Sequence, residues 1–361
     1  MRDGEPASRQ ERAAGGAALP AGRVAVMILN WNAGEHLRRC VESVRATVPA
    51  EVRVVVIDNA SRDGSLATIE GIAGVEVVRN GENLGFAGAY NRQILDAREE
   101  FVVLLNPDIV AKRPSWFSEL VGEAVADPRR AAVACKLLFA HDPSTLNSAG
   151  GMAYWWTGPV DLGFGEPDEG SSARAMGPFS PSGGAALVRT SAFREVGGFD
   201  EAMFAFVEDV DLGWRLRLIG WEVAYAPGAE LLHAFASTTG AISFTRMYLT
   251  HRNFLRAMLK NYSARTLLRA LPAFAAWTLA KSAGAMAAER SPRLAAAPWR
   301  AVGWNLLNLR DTLAARKAVQ SSRTVDDREI LRRMGPRGFE PLESLQRRRR
   351  IAHRRSPGGG P

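Results

Sequence analysis

Four short apolar runs recur along the first hundred or so positions, and each ends abruptly in a cluster of polar side chains. Residues 23–29 read Arg-Val-Ala-Val-Met-Ile-Leu and stop at Asn30-Trp31-Asn32. Residues 52–57 stop at Asp58-Asn59-Ala60-Ser61, residues 75–78 lead to Asn80-Gly81-Glu82-Asn83-Leu84-Gly85, and residues 101–105 end at Asn106-Pro107-Asp108. Continuous short apolar runs are the mark of strands covered on both faces. Between the first two, Leu37, Val41 and Val44 recur at helical spacing, and a further helix is expected through Tyr90 and Ile94. Such alternation predicts an α/β fold with a parallel sheet and helices on both faces. Ligands of such sheets bind at the carboxyl ends of the strands, which is where the polar clusters fall.

Beyond residue 130 the pattern changes. Strands are expected at 132–139 and 185–188, separated by a Gly- and Pro-rich stretch through Tyr154-Trp155-Trp156, which reads as a mixed-sheet extension. A helix from Glu208 through Val210, Trp214 and Leu218 is ended by Gly220, and a strand follows at 221–226. From Phe244 the chain turns helical and basic. Residues 267–288 are apolar but carry Arg269, Pro272 and Lys281, so they lack the roughly 20 uninterrupted apolar residues of a spanning helix. The expected organisation is a disordered segment 1–22, a catalytic domain 23–260, a basic amphipathic helical region 261–335 that lies on a membrane, and a disordered Arg-rich tail 336–361.

Charge sharpens this division. The net charge of +8 conceals a body of −9 up to Gly240 and a remainder of +17. A basic tail on an acidic body points to an anionic partner for the tail alone, either a phospholipid surface or nucleic acid. No nucleic-acid recognition motif accompanies it, and the membrane reading is preferred. At 47% hydrophobic and 23% charged, the composition excludes a wholly disordered chain. Cys40 and Cys135 lack a Cys-x-x-Cys partner and sit in apolar segments, so they are expected as buried thiols of a reducing compartment. The first 22 residues show no signal-peptide core, and the cytoplasm is the expected location.

Each polar cluster admits a structural and a chemical role. Asp58 can close an Asx-turn or accept hydrogen bonds from a nucleoside. The stretch Asn83-Leu84-Gly85-Phe86-Ala87-Gly88 leads into a helix and can bring backbone close to a phosphate or sugar, yet it is neither a Walker loop nor a dinucleotide fingerprint. Asn106 and Asp108, at i and i+2 after a strand, form either a turn or a platform for a divalent metal that bridges a diphosphate. Glu208, Asp209 and Asp211 at a helix start complement its dipole, or else Asp209 is a general base tuned by Glu208. His233 is either structural or a ligand, Gly183 and Gly184 either turn residues or a place of close approach, and Trp155 and Trp156 either core or a sugar platform.

Taken in order, Ile-Leu-Asn-Trp-Asn, Asp-Asn-Ala-Ser-Arg-Asp-Gly-Ser, Glu-Asn-Leu-Gly-Phe-Ala-Gly, Leu-Leu-Asn-Pro-Asp, Val-Gly-Gly-Phe-Asp-Glu and Phe-Val-Glu-Asp-Val-Asp resemble the family 2 glycosyltransferases over about residues 23 to 260. The resemblance is greatest to the rhamnosyltransferase-type enzymes of bacterial cell-wall and surface-polysaccharide assembly. It implies a GT-A fold, a nucleotide-diphospho-sugar donor, a Mg or Mn ion, inversion at the anomeric carbon, and a glycan or polyprenyl-linked acceptor at the inner face of the cell membrane. It implies that Asn30 and Asn32 line the donor pocket, that Asp58 contacts the nucleoside, and that Asn83 and Gly85 lie beside the nucleotide. Asp108 would hold the metal with Asn106 at the first position of the motif, Asp209 would be the base with Glu208 beside it, and His233 would be a further metal ligand. Two departures from the family pattern are Asn106 in place of Asp and Ala234-Phe235-Ala236-Ser237 in place of a Gly- and Ser-rich segment. A sugar-nucleotide pyrophosphorylase would need a basic residue in its first loop, which Asn30-Trp31-Asn32-Ala33-Gly34 lacks. A non-catalytic scaffold of the same fold would be free to lose Asp108 and Asp209, and both are present.

Overall fold

The computed structural model describes residues 22–169, 177–235 and 243–335. The two expected disordered ends and Ala236-Ser237 lie outside the described residues.

Eleven strands are formed among the described residues: β1 (Val24–Asn30), β2 (Arg53–Asp58), β3 (Val75–Arg79), β4 (Phe101–Leu105), β5 (Ile109–Ala111), β6 (Arg130–Phe139), β7 (Asp142–Ser148), β8 (Gly151–Tyr154), β9 (Gly158–Asp161), β10 (Ala185–Arg189) and β11 (Glu222–His233). The main sheet runs β3-β2-β1-β4-β10-β6-β11-β5, with β7 paired to β6, while β8 and β9 form a separate hairpin. β3, β2, β1 and β4 are mutually parallel, and all seven residues of β1 are buried, as a strand covered on both faces must be. The register sets Asn30 opposite Asp58, so the polar clusters line one edge. β10 runs antiparallel to both β4 and β6, which makes the second half the expected mixed extension. β11 extends to His233, well past the expected end at 226, because an irregularity between Ala226 and Glu230 accommodates Pro227-Gly228 and lets pairing with β6 resume.

Helices α1 (Glu35–Thr47), α2 (Gly85–Ile94), α3 (Trp116–Val125) and α4 (Thr190–Glu195) cover the sheet. α5 (Glu208–Leu218) is buried nearly all round: Leu212 and Leu216 join the core under α2 and α4, while Val210, Trp214 and Leu218 join a second core with the β8–β9 hairpin. Five helices follow: α6 (Phe244–Asn261), α7 (Ala264–Glu289), α8 (Pro292–Leu307), α9 (Leu309–Ser322) and α10 (Asp327–Arg333). Phe254, Met258 and Tyr262 pack into that same second core with Phe274, Ile330 and Met334. One core therefore spans the boundary expected at residue 260, and the C-terminal helices are built onto the sheet domain.

Ion pairs reinforce the junction. Asp211, on α5 and wholly buried, accepts from Arg215 Nε at 2.8 Å, from Lys260 Nζ at 3.1 Å and from Asn261 Nδ2 at 3.0 Å. Lys260 also pairs with Asp200, which Arg256 holds at 2.8 Å. Burial alone would raise the Asp211 carboxyl, but Lys260 and Arg215 outweigh it and keep the group ionised below the usual carboxylate range. Replacing Lys260 by Met removes the cation shared by two carboxylates in a dry junction, leaving Asp211 to Arg215 and Asp200 to Arg256. The expected cost is about 3–5 kcal/mol at neutral pH by chemical denaturation. Because the folded-state carboxyls titrate below their unfolded values, this difference is complete above the unfolded range and shrinks as pH falls below about 4.

Candidate active site

A cleft of about 780 Å³ opens at the carboxyl edge of the sheet, between α5, the β8–β9 hairpin and helices α6 and α7. Asn106, Gly183, Gly184, Glu208, Asp209 and His233 line it, together with Phe86, Asn147, Trp156, Asp161, Phe235, Arg246, Trp277 and Lys281.

The first turn of α5 enters the cleft from a strained approach. Phe204, Phe206 and Val207 all have positive φ, at 64°, 69° and 74°, a conformation costing roughly 1–3 kcal/mol for each such residue. Asn253 of α6 supports this turn by donating its amide to the carbonyls of Met203, Ala205 and Phe206 at 2.9, 2.9 and 2.7 Å. Arg252 donates to the carbonyls of Ala202 and Met203. On the other side, Phe204's carbonyl accepts from the N–H groups of Phe86 and Ala87 at 2.7 and 3.2 Å. α5 also sits unusually close to the Phe179-Ser180 backbone, because a Cβ on Gly213 would lie 2.5 Å from Ser180 Cβ. That approach brings the following Ser182-Gly183-Gly184 loop against the carboxylates.

Asp209 Oδ2 accepts from the Gly183 N–H at 2.7 Å and its Oδ1 from its neighbour Val210 N–H at 2.8 Å. Burial raises its carboxyl and the charge of Asp161 adds to the rise, while the two N–H groups oppose it, and the outcome is about 6. Glu208 is 5% exposed, its Oε2 has no hydrogen-bond partner, and burial followed by the charges of Asp209 and Asp211 pushes its carboxyl well above the usual range. Of the pair, Glu208 is the carboxyl more strongly raised, by burial and by the charge of Asp209 beside it. Asp211, two positions on, faces the opposite side toward Lys260.

At the other wall, His233 ends β11 next to β5, and its Nε2 lies 3.2 Å from Asp108 Oδ1. His233 Nδ1 meets Asn147 Oδ1 at 2.8 Å, a contact that orients the ring so that Nε2 faces the carboxylate. A carboxylate and an oriented imidazole suit a divalent ion that draws further ligands from a diphosphate and water. Among the described residues no group of three or more His, Cys, Asp and Glu forms a self-sufficient metal site. Asn106 joins this wall to the other: its N–H donates to Gly184's carbonyl at 2.8 Å.

The remaining expected site residues do not line this cleft. Asn30 is fully buried, and its amide donates to Asp58 Oδ1 at 2.9 Å and to the hydroxyls of Ser61 and Ser65. Asp58 also accepts from the Ser61 N–H at 3.3 Å, which is the Asx-type closure. Asn32 accepts from Arg62 N–H at 2.8 Å. Asn83 accepts from Asn59 Nδ2 at 2.8 Å and from Gly85 N–H at 2.9 Å. In the stretch after Asn83, which the sequence reads as able to bring backbone close to a phosphate or sugar, Phe204's carbonyl occupies the N-terminus of α2. A Cβ on Gly85 would lie 2.4 Å from that oxygen, so the glycine serves loop packing. Cys40 and Cys135 are free and buried, as expected. Trp156 lines the cleft, whereas Trp155 packs on the core.

Asn253, Arg252 and Asn147 went unrecognised in the sequence. Each acts on a residue some 50 to 90 positions away, and no local spacing signals such a pairing.

Residues 20–249 match the family described as glycosyltransferase like family 2. The chain is 34% identical over 253 residues to N-acetylglucosaminyl-diphospho-decaprenol L-rhamnosyltransferase of Mycobacterium tuberculosis, covering 63% of this chain and 81% of the relative. Its fold is similar to mannosyltransferase PcManGT from Pyrobaculum calidifontis, solved with GDP-Man and Mn2+, at a TM-score of 0.50 and 18% identity over 83% of this chain and 85% of that one. It is also similar to residues 1–349 of S. aureus TarS, at a TM-score of 0.51 and 15% identity over 83% and 88% of the two chains. With its GT-A fold, the chain belongs to the family 2 glycosyltransferases and is a sugar-transferring enzyme.

Proposed function

We propose that the protein is an inverting transferase that moves rhamnose or a similar hexose from a nucleotide-diphospho-sugar to a hydroxyl of a lipid-linked glycan. The observation that carries this reading is the convergence, in one cleft, of a carboxylate titrating at about 6 with His233, whose Nε2 contacts Asp108. The M. tuberculosis relative, named for a diphospho-decaprenol acceptor, supports the acceptor class.

Asp209 takes the proton of the acceptor hydroxyl as its oxygen attacks the anomeric carbon from the face opposite the nucleoside diphosphate, which departs. Glu208, its carboxyl raised by burial, leaves Asp209 as the base. Asp108 and His233 would hold a Mg or Mn ion, which supplies countercharge to the departing diphosphate, with Asn106 beside it. Asp58, Asn30, Asn32, Asn83 and Gly85, at the adjoining strand ends, shape the nucleoside side, with Asn30 and Gly85 acting through the loops they hold. A purely binding role is disfavoured, since a scaffold gains nothing from two buried carboxylates at the cleft wall.

Peripheral attachment to a membrane is supported by the surface of the C-terminal helices. No described helix is long and apolar enough to cross a membrane. Yet of the thirteen exposed large hydrophobics among the described residues, eight lie between Leu268 and Leu313. On α7 every exposed residue between Arg269 and Glu289 is apolar, including Pro272, Leu279, Ala283 and Met286. Arg265, Arg269, Arg290, Arg293 and Arg300 are exposed around this stripe, so the apolar face and the cations occupy separate ground.

Two outcomes follow. With a panel of sugar nucleotides that includes L-rhamnose donors, wild type releases nucleoside diphosphate in a chelator-sensitive reaction. Asp209→Asn lowers transfer by about 10²–10⁴-fold, Asp108→Ala abolishes the response to Mn, and the acid limb of kcat/KM falls below about pH 6 as Asp209 protonates. Full activity in Asp209→Asn would refute the base. On anionic phosphatidylglycerol vesicles the wild type cosediments, and Leu268→Asp with Leu279→Asp reduces the bound fraction several-fold; equal binding by the variant would refute the α7 surface.

A further inference from the structure

Two cationic side chains in the cleft have no part in the donor reading above. Arg246 and Lys281 both line it, and both come from the C-terminal helices, Arg246 from the first turn of α6 and Lys281 from the middle of α7. Each is held against aromatic faces. The Arg246 guanidinium lies 6.0 Å from the ring centres of Phe206 and Phe235, and Lys281 Nζ lies 5.4 Å from that of Trp277. Trp277 is fixed in turn, its Nε1 donating to the carbonyl of Thr157 at 2.8 Å. The positive end of α6 opens on the same space, with Ser243 at its cap.

We propose that Arg246 and Lys281 form the subsite for a diphosphate carried by the acceptor, an assignment that rests on the transferase reading above. Three observations point to the acceptor as the source. The donor's diphosphate would find its countercharge in a divalent ion held at Asp108 and His233, whereas these two cations stand on helices beyond the sheet. The nucleoside-side residues Asp58, Asn30, Asn32 and Asn83 are absent from the lining that Arg246 and Lys281 share with Asp209. Finally, α7 carries Lys281 toward the cleft while Leu279 and Met286 on its other side stand exposed in the charge-free stripe. A ligand anchored at Lys281 that continues past α7 passes from a cationic to an apolar environment. That sequence of chemistries is a sugar, then a diphosphate, then a lipid chain. Trp156 and Trp277, with ring centres 6.2 Å apart, stand in the same wall where the acceptor sugar would lie. The acceptor's own diphosphate linkage is neither formed nor broken; the new bond joins its sugar hydroxyl to the donor's anomeric carbon. Arg246 and Lys281 therefore bind and position, with no part in the chemical step.

The test compares two synthetic acceptors, N-acetylglucosaminyl diphosphate esterified to a ten-carbon alkyl chain and the alkyl glycoside of the same sugar and chain. Wild type is expected to prefer the diphosphate by at least about 10-fold in kcat/KM. Lys281→Gln and Arg246→Gln each lower that preference ratio several-fold through the acceptor KM, and Lys281→Arg retains it. No preference in wild type, or an equal loss on both acceptors in the variants, overturns the assignment. A loss expressed as a raised donor KM overturns it too, giving the cations to the donor's diphosphate. If wild type releases nucleoside diphosphate but glycosylates neither acceptor, the diphosphate acceptor fails and the transferase reading stands. If no donor is turned over at all, the transferase roles fail first and this assignment with them.

Discussion

Asn253 holding the Phe204–Val207 turn is the constraint on which the active site depends. Three side-chain-bearing residues with positive φ within four positions do not persist unaided. One buried amide on α6 spends its two N–H groups on three carbonyls of that turn, and the Phe86 and Ala87 N–H groups close it from α2. The turn sets the direction from which α5 departs, and that direction decides what Glu208, Asp209 and Asp211 face. The C-terminal helices are thus part of the frame that places the base, which explains why a single core runs across residue 260.

The three carboxylates of one helical turn have three different electrostatic fates. Glu208 is buried with one oxygen unpartnered and its carboxyl is pushed well up, Asp209 receives two N–H groups and titrates at about 6, and Asp211 meets Lys260 and Arg215 and is held below the usual range. Their chemistry follows from the 100° step of a helix, which turns neighbours toward different surroundings. Only the middle one is both in the cleft and able to change protonation near neutral pH, as a base requires.

Much of this was legible in the sequence. Apolar runs bounded by polar clusters located β1, β2, β4 and β10 within a residue or so, because strands buried on both faces have no other composition. The cluster at Glu208 and the pair Asn106 and Asp108 were also found, since several polar side chains at a strand end or helix start stand out against an apolar background. His233 reached Asp108 through β11 running seven residues past its expected end, which Pro227-Gly228 had masked. The packing of the stretch after Asn83 was not legible, because a glycine before a helix looks the same whether a phosphate or a carbonyl caps it, and the carbonyl of Phe204 lies more than 100 residues away. Asn253, Asn147 and Lys260 were invisible for the related reason that one polar residue in a helix or strand declares no partner.

The central claim is single displacement driven by Asp209 from the face opposite the departing diphosphate. It is tested most directly by the anomeric configuration of the product, read by proton NMR after turnover of a donor of defined configuration. The account requires the opposite configuration in the product at the first observable time. Retention of the donor's configuration would contradict it and would call for a second nucleophile that the cleft, as described, does not assign.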